Sequence, residues 1–329
     1  MKRGIALILL SAGLLVPIWV RSPIPDTKPA TTLTFRREAL PAPQRLADAI
    51  APFRLEEAWQ LQSPSAGGYS ALVPLGPRRF LALSDDGRWL WLDLEHGMQA
   101  LHAFGKVRFS DDLQGKAYHD VESATRDPAT GQIWLGLEGW NAIVRTDASL
   151  TEHARVKPAA MDHWGENSGP EALLRLTDGR FITVREIALQ GGEGRLHEAL
   201  LFTGDPTSHP QGIPFVFEGP RNFSVVDMAQ MPDGRVLILM RRLIWVMPLR
   251  FAGHIVIADP RQIGKDKVWK AREVAPLVSD MPIDNFEGMA VTQGSGGKIN
   301  VWLISDDNFM THWQRTLLWH LSVDPARLH

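Results

Sequence analysis

The apolar residues of this chain come in short groups. Beyond about residue 55 they form runs of five to eight, separated by Asp-Gly, Gly-Gly and Pro-Asp-Gly signals. Strands in soluble proteins have this length and are joined by such turns, whereas a helix needs a longer stretch with a period of 3.6 residues. Long stretches of that kind are missing here. The pattern therefore predicts an all-β fold.

The strand-like runs repeat. Five related hairpins, each a strand, a turn and a second strand, begin at Tyr69, Val121, Pro170, Val226 and Phe286. Their interval of about 50 to 60 residues is typical of the four-stranded blades of a β-propeller with longer loops. We therefore expect a β-propeller of five blades, or six if one blade has diverged beyond recognition. A β-sandwich explains the alternating strands but not the near-regular repeat.

The ends of the domain complete this prediction. The fifth unit has an outer strand from Thr316 to Val323 but no fourth strand. The segment from Leu55 to Leu61 is predicted to supply it from the N-terminal side, which closes the ring without a free sheet edge. The tryptophans in strand-like runs are predicted to pack between sheets: Trp89, Trp91, Trp134, Trp245, Trp302 and Trp319.

The N-terminus has the pattern of an export signal. Lys2 and Arg3 precede an apolar stretch from Gly4 to Val20 with no clear cleavage site. Residues 1–21 are thus predicted to be a signal peptide or a membrane anchor. Residues 22–54, rich in proline at first, are predicted to be a linker and extension, and residues 55–329 the propeller domain. We expect a periplasmic or otherwise extracytoplasmic protein that meets a membrane only through its N-terminal segment.

Composition narrows the chemistry. A formal net charge of -2, without a basic patch, gives no electrostatic basis for binding nucleic acid. The absence of cysteine excludes disulfides, Cys-ligated zinc and thiol nucleophiles. No G-x-S-x-G elbow, phosphate-binding loop, H-E-x-x-H or dinucleotide motif occurs, so no organic cofactor is expected. Neither the substrate nor the oligomeric state is specified.

The repeat gathers charged residues. In a propeller blade the first strand starts where the second ends, so both places lie at one mouth of the channel. The second position of each unit is Ser70, Glu122, Glu171, Asp227 or Glu287. The second strands end in Asp85, Asp86, Glu138, Arg185, Glu186, Arg241, Arg242, Asp306 and Asp307. One mouth is therefore predicted to hold about a dozen charged groups.

Carboxyl groups so close together raise one another's pKa unless a cation compensates. Arg185 and Arg241 offer compensation within the ring, and Arg315 from the loop after Asp307. Oxygen ligands would suit Ca²⁺ or another hard divalent cation. Two interpretations stay open: the acids cap strands and pair with arginines, or they form a functional ring. The pair of His119 and Asp120 is likewise either a base or ligand at this mouth or part of a turn.

Several motifs resemble those of phytase-like proteins, the family described by an esterase-like activity of phytase. DNFEGMAV from Asp284, LISDDNF from Leu303 and QRTLLWHL from Gln314 are similar to its C-terminal signature, and DVESATRD from Asp120 agrees with an earlier motif. The resemblance covers roughly residues 65 to 325. It implies an extracytoplasmic propeller related to ester or phosphoester hydrolysis. Tyr69 stands where the family usually has leucine, and Met240 where it often has an acid that would ligate metal.

We therefore expect a metal-assisted hydrolase of an ester or phosphate ester, with Ca²⁺ as the first candidate ion. The site residues are assigned as metal ligands (Asp85, Asp86, Asp227, Asp306, Asp307), as acids or bases (Glu122, Glu171, Glu287, His119) and as substrate-binding groups (Arg185, Arg241, Arg315, Asn167, Asn285). The alternative is a non-catalytic propeller of the cell envelope that holds a small anionic ligand or a protein partner at the same mouth.

Overall fold

The computed structural model describes residues 32–40, 49–97, 100–110, 115–165, 168–246, 249–264, 267–277 and 284–328. These residues form 22 strands: β1 (Thr34–Arg37), β2 (Arg54–Gln62), β3 (Tyr69–Gly76), β4 (Arg79–Ser84), β5 (Arg88–Asp93), β6 (Leu101–Lys106), β7 (Val121–Arg126), β8 (Ile133–Leu137), β9 (Ala142–Thr146), β10 (Glu152–Val156), β11 (Ala172–Arg175), β12 (Phe181–Ala188), β13 (Leu196–Phe202), β14 (Ile213–Glu218), β15 (Ser224–Gln230), β16 (Val236–Val246), β17 (Leu249–Ala258), β18 (Val268–Lys270), β19 (Arg272–Leu277), β20 (Asn285–Gln293), β21 (Ile299–Asp306) and β22 (Thr316–Val323).

The strands build five sheets, which are the blades of a β-propeller. Blade 1 is β3 to β6, blade 2 is β7 to β10, and blade 3 begins with β11 to β14. Blade 4 is β15, β16, β17 and β19, and blade 5 contains β20, β21, β22 and β2. The five innermost strands, β3, β7, β11, β15 and β20, contact one another around the ring. The prediction of an all-β propeller with five blades is confirmed.

Closure of the ring occurs where the sequence predicted it. The segment from Leu55 to Leu61 lies in β2 and pairs antiparallel with β22, so the N-terminal part of the domain completes the last blade. Two blades have a fifth strand that the repeat did not predict. β1 extends blade 5 from within the predicted linker, and β18 pairs parallel with the outer edge of blade 3. Both strands cover edges that would otherwise be open.

The apolar core is divided among the five interfaces between neighbouring blades. One cluster of buried side chains lies between each pair, for example Leu239 with Trp319 between blades 4 and 5, and Phe80 with Trp302 between blades 5 and 1. Burying one such side chain contributes about 1.5–3 kcal/mol to folding. The alternating apolar positions of the sequence therefore serve both faces of each sheet.

Most of the tryptophans named above follow their prediction. Trp134, Trp302 and Trp319 are buried between blades, and Trp89 is partly buried against such a cluster. Trp245 is the exception, because its side chain is 61% exposed on a hairpin that extends beyond blade 4. The prediction that it packs between sheets was wrong. The reason is that β16 continues past the last residue that pairs with β15, Arg241, so no neighbouring blade covers it.

Helical elements are short. The 3₁₀ helices lie between or after strands, at Lys116–Tyr118, Ala159–Met161, Pro260–Gln262, Ser295–Gly297 and Pro325–Arg327. Within the described ranges there is no helix with the length and apolar character needed to cross a bilayer. Residues 1–31, which include the predicted signal or anchor, lie outside these ranges.

Candidate functional site

Backbone bulges shape the start of the innermost strands. Near its start, each of the strands β3, β7 and β20 contains one extra residue that has no partner in the neighbouring strand. These bulge residues are Ser70, Glu122 and Glu287. A bulge residue has no partner across the ladder, and the kink redirects its side chain. Glu171 holds the matching place immediately before β11. The bulges in blades 2 and 5 and the start of β11 in blade 3 thus bring three glutamates to one mouth of the channel.

Blade 4 differs by one residue. Its bulge is at Val226, because Val225 pairs with Met240 and Asp227 with Leu239. Asp227 therefore matches Ser123 of blade 2 rather than Glu122, although the sequence repeat aligned it with Glu122. A shift by one residue turns a side chain away from its expected side. The Asp227 carboxylate accepts hydrogen bonds from the backbone N–H groups of Met228 at 2.7 Å and Met289 at 2.6 Å.

The second strands deliver another set of side chains to the same mouth. Asp85 lies two residues beyond Leu83, which pairs with Ala71, and Glu138 lies two residues beyond Gly136, which pairs with Ser123. The corresponding position of the second strand, two residues beyond the matching pair, is occupied in the five blades by Asp85, Glu138, Glu186, Arg241 and Asp306. With the glutamates at 122, 171 and 287 they form seven carboxyl groups and one guanidinium. We call these eight residues the mouth cluster.

Arg241 is the cation of the mouth cluster. Its Nη2 lies 3.1 Å from Glu287 Oε1 and 3.6 Å from Glu186 Oε1. Its Nη1 donates to Asn285 Oδ1 at 2.9 Å, and Asn285 Nδ2 donates to Glu287 Oε1 at 2.6 Å. Burial lowers the pKa of Arg241, but the surrounding carboxylates outweigh burial and raise it. The guanidinium is therefore always charged, and it compensates the blade 5 side of the cluster.

The acids of blades 2 and 3 crowd one another instead. Asp120, Glu122 and Glu138 have carboxylate oxygens within 4.8 Å of one another, and so do Glu138, Glu171 and Glu186. Glu138 belongs to both groups, so five carboxyl groups share one continuous patch. Each acid in the patch is half-buried or buried. Such crowding is unfavourable unless protons or a cation neutralise part of the charge.

The pKa values record this crowding. Burial, followed by the charges of Glu287 and Glu138, raises the pKa of Glu122 well above its usual range. Burial, Glu122 and Glu186 do the same for Glu171. The pKa of Glu138 rises to about 7 through burial, while its hydrogen bond with Glu171 acts in the opposite direction. In the absence of a cation, several of these acids therefore hold protons near neutral pH.

Three aspartates assigned as ligands from the sequence lie among partners of their own. Asp86 binds Arg88 Nε at 2.7 Å and accepts from Ser84. Asp307 accepts from the N–H groups of Gly68 at 3.2 Å and Phe309 at 3.1 Å, and from Thr316 Oγ1. Asp227 holds Met289 of blade 5, as described above. Of the five assigned ligands, the structure brings only Asp85 and Asp306 into the mouth cluster.

The turn before β3 contains two glycines, Gly67 and Gly68, at positions where a side chain would not fit. Gly68 has a φ of 69°, and a Cβ there would lie 2.9 Å from Asp85 Oδ1. Gly67 approaches Asp307 even more closely, at 2.7 Å for its would-be Cβ. Only glycine combines this left-handed conformation with so close an approach. The pair therefore allows the backbone to reach two of the acids at blades 1 and 5.

The remaining assigned residues are separated. Arg185 lies on the other side of its strand, with Nη1 2.6 Å from Glu198 Oε2 and Nη2 donating to the backbone oxygen of Trp164. Arg315 Nη1 lies 3.1 Å from Glu38 Oε2.

His119 stacks on Phe109 at 4.6 Å between ring centroids, and burial and then Arg155 lower its pKa. Asn167 lies outside the described residues. Asn285 is the one assigned polar residue that joins the cluster, through Arg241 and Glu287.

The sequence placed Glu138 and Glu186 at the mouth without indicating a role, and it left Asp120, with His119, as either a base or ligand at this mouth or part of a turn. The structure makes Glu138 the shared member of both acidic groups. The signal was present in the repeat, because each of these glutamates follows a second strand. Their importance depends on distances between blades, which the spacing along the chain does not contain.

The donor set fits a hard divalent cation. Every candidate ligand of the two acidic groups is a carboxylate oxygen, and such oxygens are preferred by Ca²⁺ and Mg²⁺. Burial without full compensation by arginine adds an electrostatic reason, since an ion would remove the repulsion that raises the pKa of these acids.

Comparison with solved structures finds distant similarity. The hydrazine synthase of Kuenenia stuttgartiensis aligns with a TM-score of 0.38 and 12% identity over 74% of this chain and 66% of that one, just under two thirds of its length. The WD40 β-propeller domain of Doa1 aligns with a TM-score of 0.40 and 15% identity, over 85% of this chain and 100% of that one. A chain of the nidogen/laminin complex aligns with a TM-score of 0.42 and 10% identity, over 87% of this chain and 96% of that one. At these values the similarities carry no information on function.

No curated protein matches the chain. A family model does: the model described as "Phytase-like: Esterase-like activity of phytase" matches residues 64–309. The matched span runs from the turn before β3 to the loop after β21, so it includes all eight residues of the mouth cluster. The resemblance of the sequence motifs to this family is thereby confirmed, and the chain belongs to the phytase-like family of β-propeller proteins.

Proposed function

We propose that this protein is a metal-assisted hydrolase of an ester or phosphate ester, exported from the cytoplasm and working at the mouth cluster. The supporting observation is the pair of acidic groups that share Glu138, next to a single arginine. The expected partner is a small anionic molecule. The N-terminal basic and apolar residues support export, and family membership supports hydrolytic chemistry.

The acidic groups would hold the ion. Asp120, Glu122 and Glu138 form one candidate ligand set, and Glu138, Glu171 and Glu186 the other. A bound divalent cation would supply neutralisation of these carboxylates and polarisation of an ester or phosphoryl oxygen. An ion held by one set would leave the acids that belong only to the other set available for proton transfer.

The other roles fall to side chains of the cluster. Arg241 is a charged fork that suits a phosphate or carboxylate oxygen, and its Nε is buried with no hydrogen-bond partner among the described residues. Leaving such a donor unsatisfied costs about 1–3 kcal/mol, which an oxygen of the ligand would offset. Glu171, whose pKa is raised by burial and by neighbouring acids, would donate and accept protons if the ion were held by Asp120, Glu122 and Glu138. Asn285 orients both Arg241 and Glu287.

Turnover tests this proposal directly. Purified protein should hydrolyse a model p-nitrophenyl ester or phosphate when Ca²⁺, Mg²⁺ or Mn²⁺ is present, and chelation should abolish the reaction. Glu171→Gln should lower the rate about 10²- to 10⁴-fold, the usual range for loss of acid–base catalysis, and Glu138→Gln, which removes a ligand of both sets, should lower it at least as much. Asp178→Asn is the matched control, because Asp178 pairs with Arg180 at 2.7 Å in an exposed turn between β11 and β12.

Two results would contradict the hydrolase. One is a wild-type rate that never exceeds the rate of folded Glu138→Gln with any metal. The other is an equal loss in Asp178→Asn, which would show a general effect of the substitution. Binding of an anionic ligand without turnover would instead support the alternative of a non-catalytic binding propeller.

A further inference from the structure

The channel contains a cavity at the end away from the mouth cluster. Its volume is about 440 Å³, and all five innermost strands line it. The lining comes from the middle and the ends of these strands and from the turns that follow them, and it includes none of the mouth cluster. The site proposed for hydrolysis therefore does not use this space.

The wall of the cavity has two zones. Apolar residues from all five blades form a belt, among them Leu72, Leu174, Met228, Met289 and Val291. At the strand ends the lining turns polar and includes Arg126 and Arg175. A ligand pocket of this size commonly combines an apolar wall with a few polar groups that fix orientation. Methionine adds a wall that adapts to an apolar tail.

The register of the repeat places the two arginines side by side. Arg126 ends β7 and pairs with the first residue of β8, while Arg175 ends β11 and pairs with the first residue of β12. The two strands are neighbours in the ring. Each arginine lies four residues after a glutamate of the mouth cluster, which at the rise of a strand is about 13 Å. This exceeds the screening length of about 8 Å at physiological salt, so the two ends act separately.

The arginines are only partly compensated. Arg175 Nη2 lies 3.5 Å from Asp127 Oδ2. Arg126 has no ion pair within 4.0 Å among the residues that the structure describes, and its side chain is half-buried. The charges of both arginines act on Asp127, while Asp178, the other carboxylate near Arg175, is paired with Arg180. A half-buried guanidinium without a carboxylate partner is well suited to an anionic oxygen.

We propose that this end of the channel binds an anionic amphiphile. A carboxylate or phosphate monoester head would lie on Arg126, with Arg175 beside it, and an apolar tail would enter the belt at Leu72, Met228 and Met289. This site is independent of the hydrolase, because it shares no residue with the mouth cluster. A ligand can occupy it whether or not the other mouth turns over a substrate.

Titration of the full chain with octanoate and with octyl phosphate, followed by calorimetry, tests the site. Saturable binding of at least one probe is expected, and the tighter of the two identifies the preferred head group. Affinity should increase about fourfold per methylene from butanoate to octanoate, the value for transfer of each CH₂ from water. Arg126→Gln should weaken binding about tenfold, whereas Arg180→Gln, a matched change at an arginine paired with Asp178, should not.

Val291→Trp supplies a second variant, because Val291 lines the cavity and is only partly buried, and the change leaves both arginines in place. It should abolish the dependence on tail length, and its melting temperature shows whether it folds. The proposal is overturned if neither probe binds saturably, or if Arg126→Gln binds as tightly as Arg180→Gln. It is also overturned if butanoate and octanoate bind equally to the wild type, since the cavity then takes no tail.

Discussion

The acids at the mouth and the aspartates beside it have opposite surroundings. Asp86, Asp227 and Asp307 are held by protein donors: a guanidinium, hydroxyl groups or backbone N–H groups. The acids of blades 2 and 3 have one another's carboxylate oxygens within 4.8 Å, and Glu186 also lies 3.6 Å from Arg241. The first set therefore has hydrogen-bond donors of the protein as partners, although burial still raises the pKa of Asp227 and Asp307, whereas the second set has like charges as its neighbours. Carboxylates that the protein leaves uncompensated are the ones that point to a ligand.

Loss of one carboxylate should have opposite effects on stability in the two sets. Asp227→Ala leaves the N–H groups of Met228 and Met289 buried without acceptors, and we expect the free energy of unfolding to fall by about 2–5 kcal/mol. Glu122→Gln removes a like charge, so metal-free protein should be equally stable or more stable. Urea denaturation in the presence of a chelator measures both. Destabilisation of similar size in the two variants would contradict the comparison.

The second-largest expected difference between the two sets of acids is their contribution to stabilisation by calcium. An ion that binds only the folded state raises its stability by about 2.7 kcal/mol at a hundredfold excess over the dissociation constant. We expect Ca²⁺ to raise the melting temperature of the wild type, and the increase to shrink in Glu171→Gln. Asp307→Asn should lower the starting temperature but keep the increase, because Gly68, Phe309 and Thr316 already bind that carboxylate.

A melting temperature that responds to neither calcium nor chelator would contradict the metal site. The mouth cluster would then be interpreted as an ion-pair network with Arg241 at its centre.

The smallest effect concerns pH. Glu138 has a pKa of about 7 in the folded protein against an ordinary 4.5, so the folded state binds more protons between these values. Stability is therefore fully present below about pH 4.5 and falls as the pH rises towards 7, by on the order of 1–3 kcal/mol. Thermal melts in chelator from pH 5 to 8 measure this slope, and Glu138→Gln should reduce it. A metal-free protein that becomes more stable over this range would contradict the crowding of these acids.

The extent of sequence prediction differs between fold and site. The sequence predicted the short strands, the five repeated units and the closing strand from Leu55 to Leu61. These features depend on local periodicity and on the need to pair the edge of a sheet. For the site, the sequence predicted which strand ends carry charged residues, but not which of these side chains meet. Asp227 and Arg185 were expected at the mouth, and the structure turns both to other partners.

What the sequence by itself determined is thus the architecture: alternating apolar positions, turn residues and a repeat that closes on itself. What only the tertiary structure decided is which charged side chains meet. A strand turns successive side chains to opposite faces, so one bulged residue, at Glu122 in blade 2 and at Val226 in blade 4, reverses the assignment of every neighbour. The acids at 122, 138, 171 and 186 become one patch because two blades pack side by side, and no spacing along a single chain records that distance.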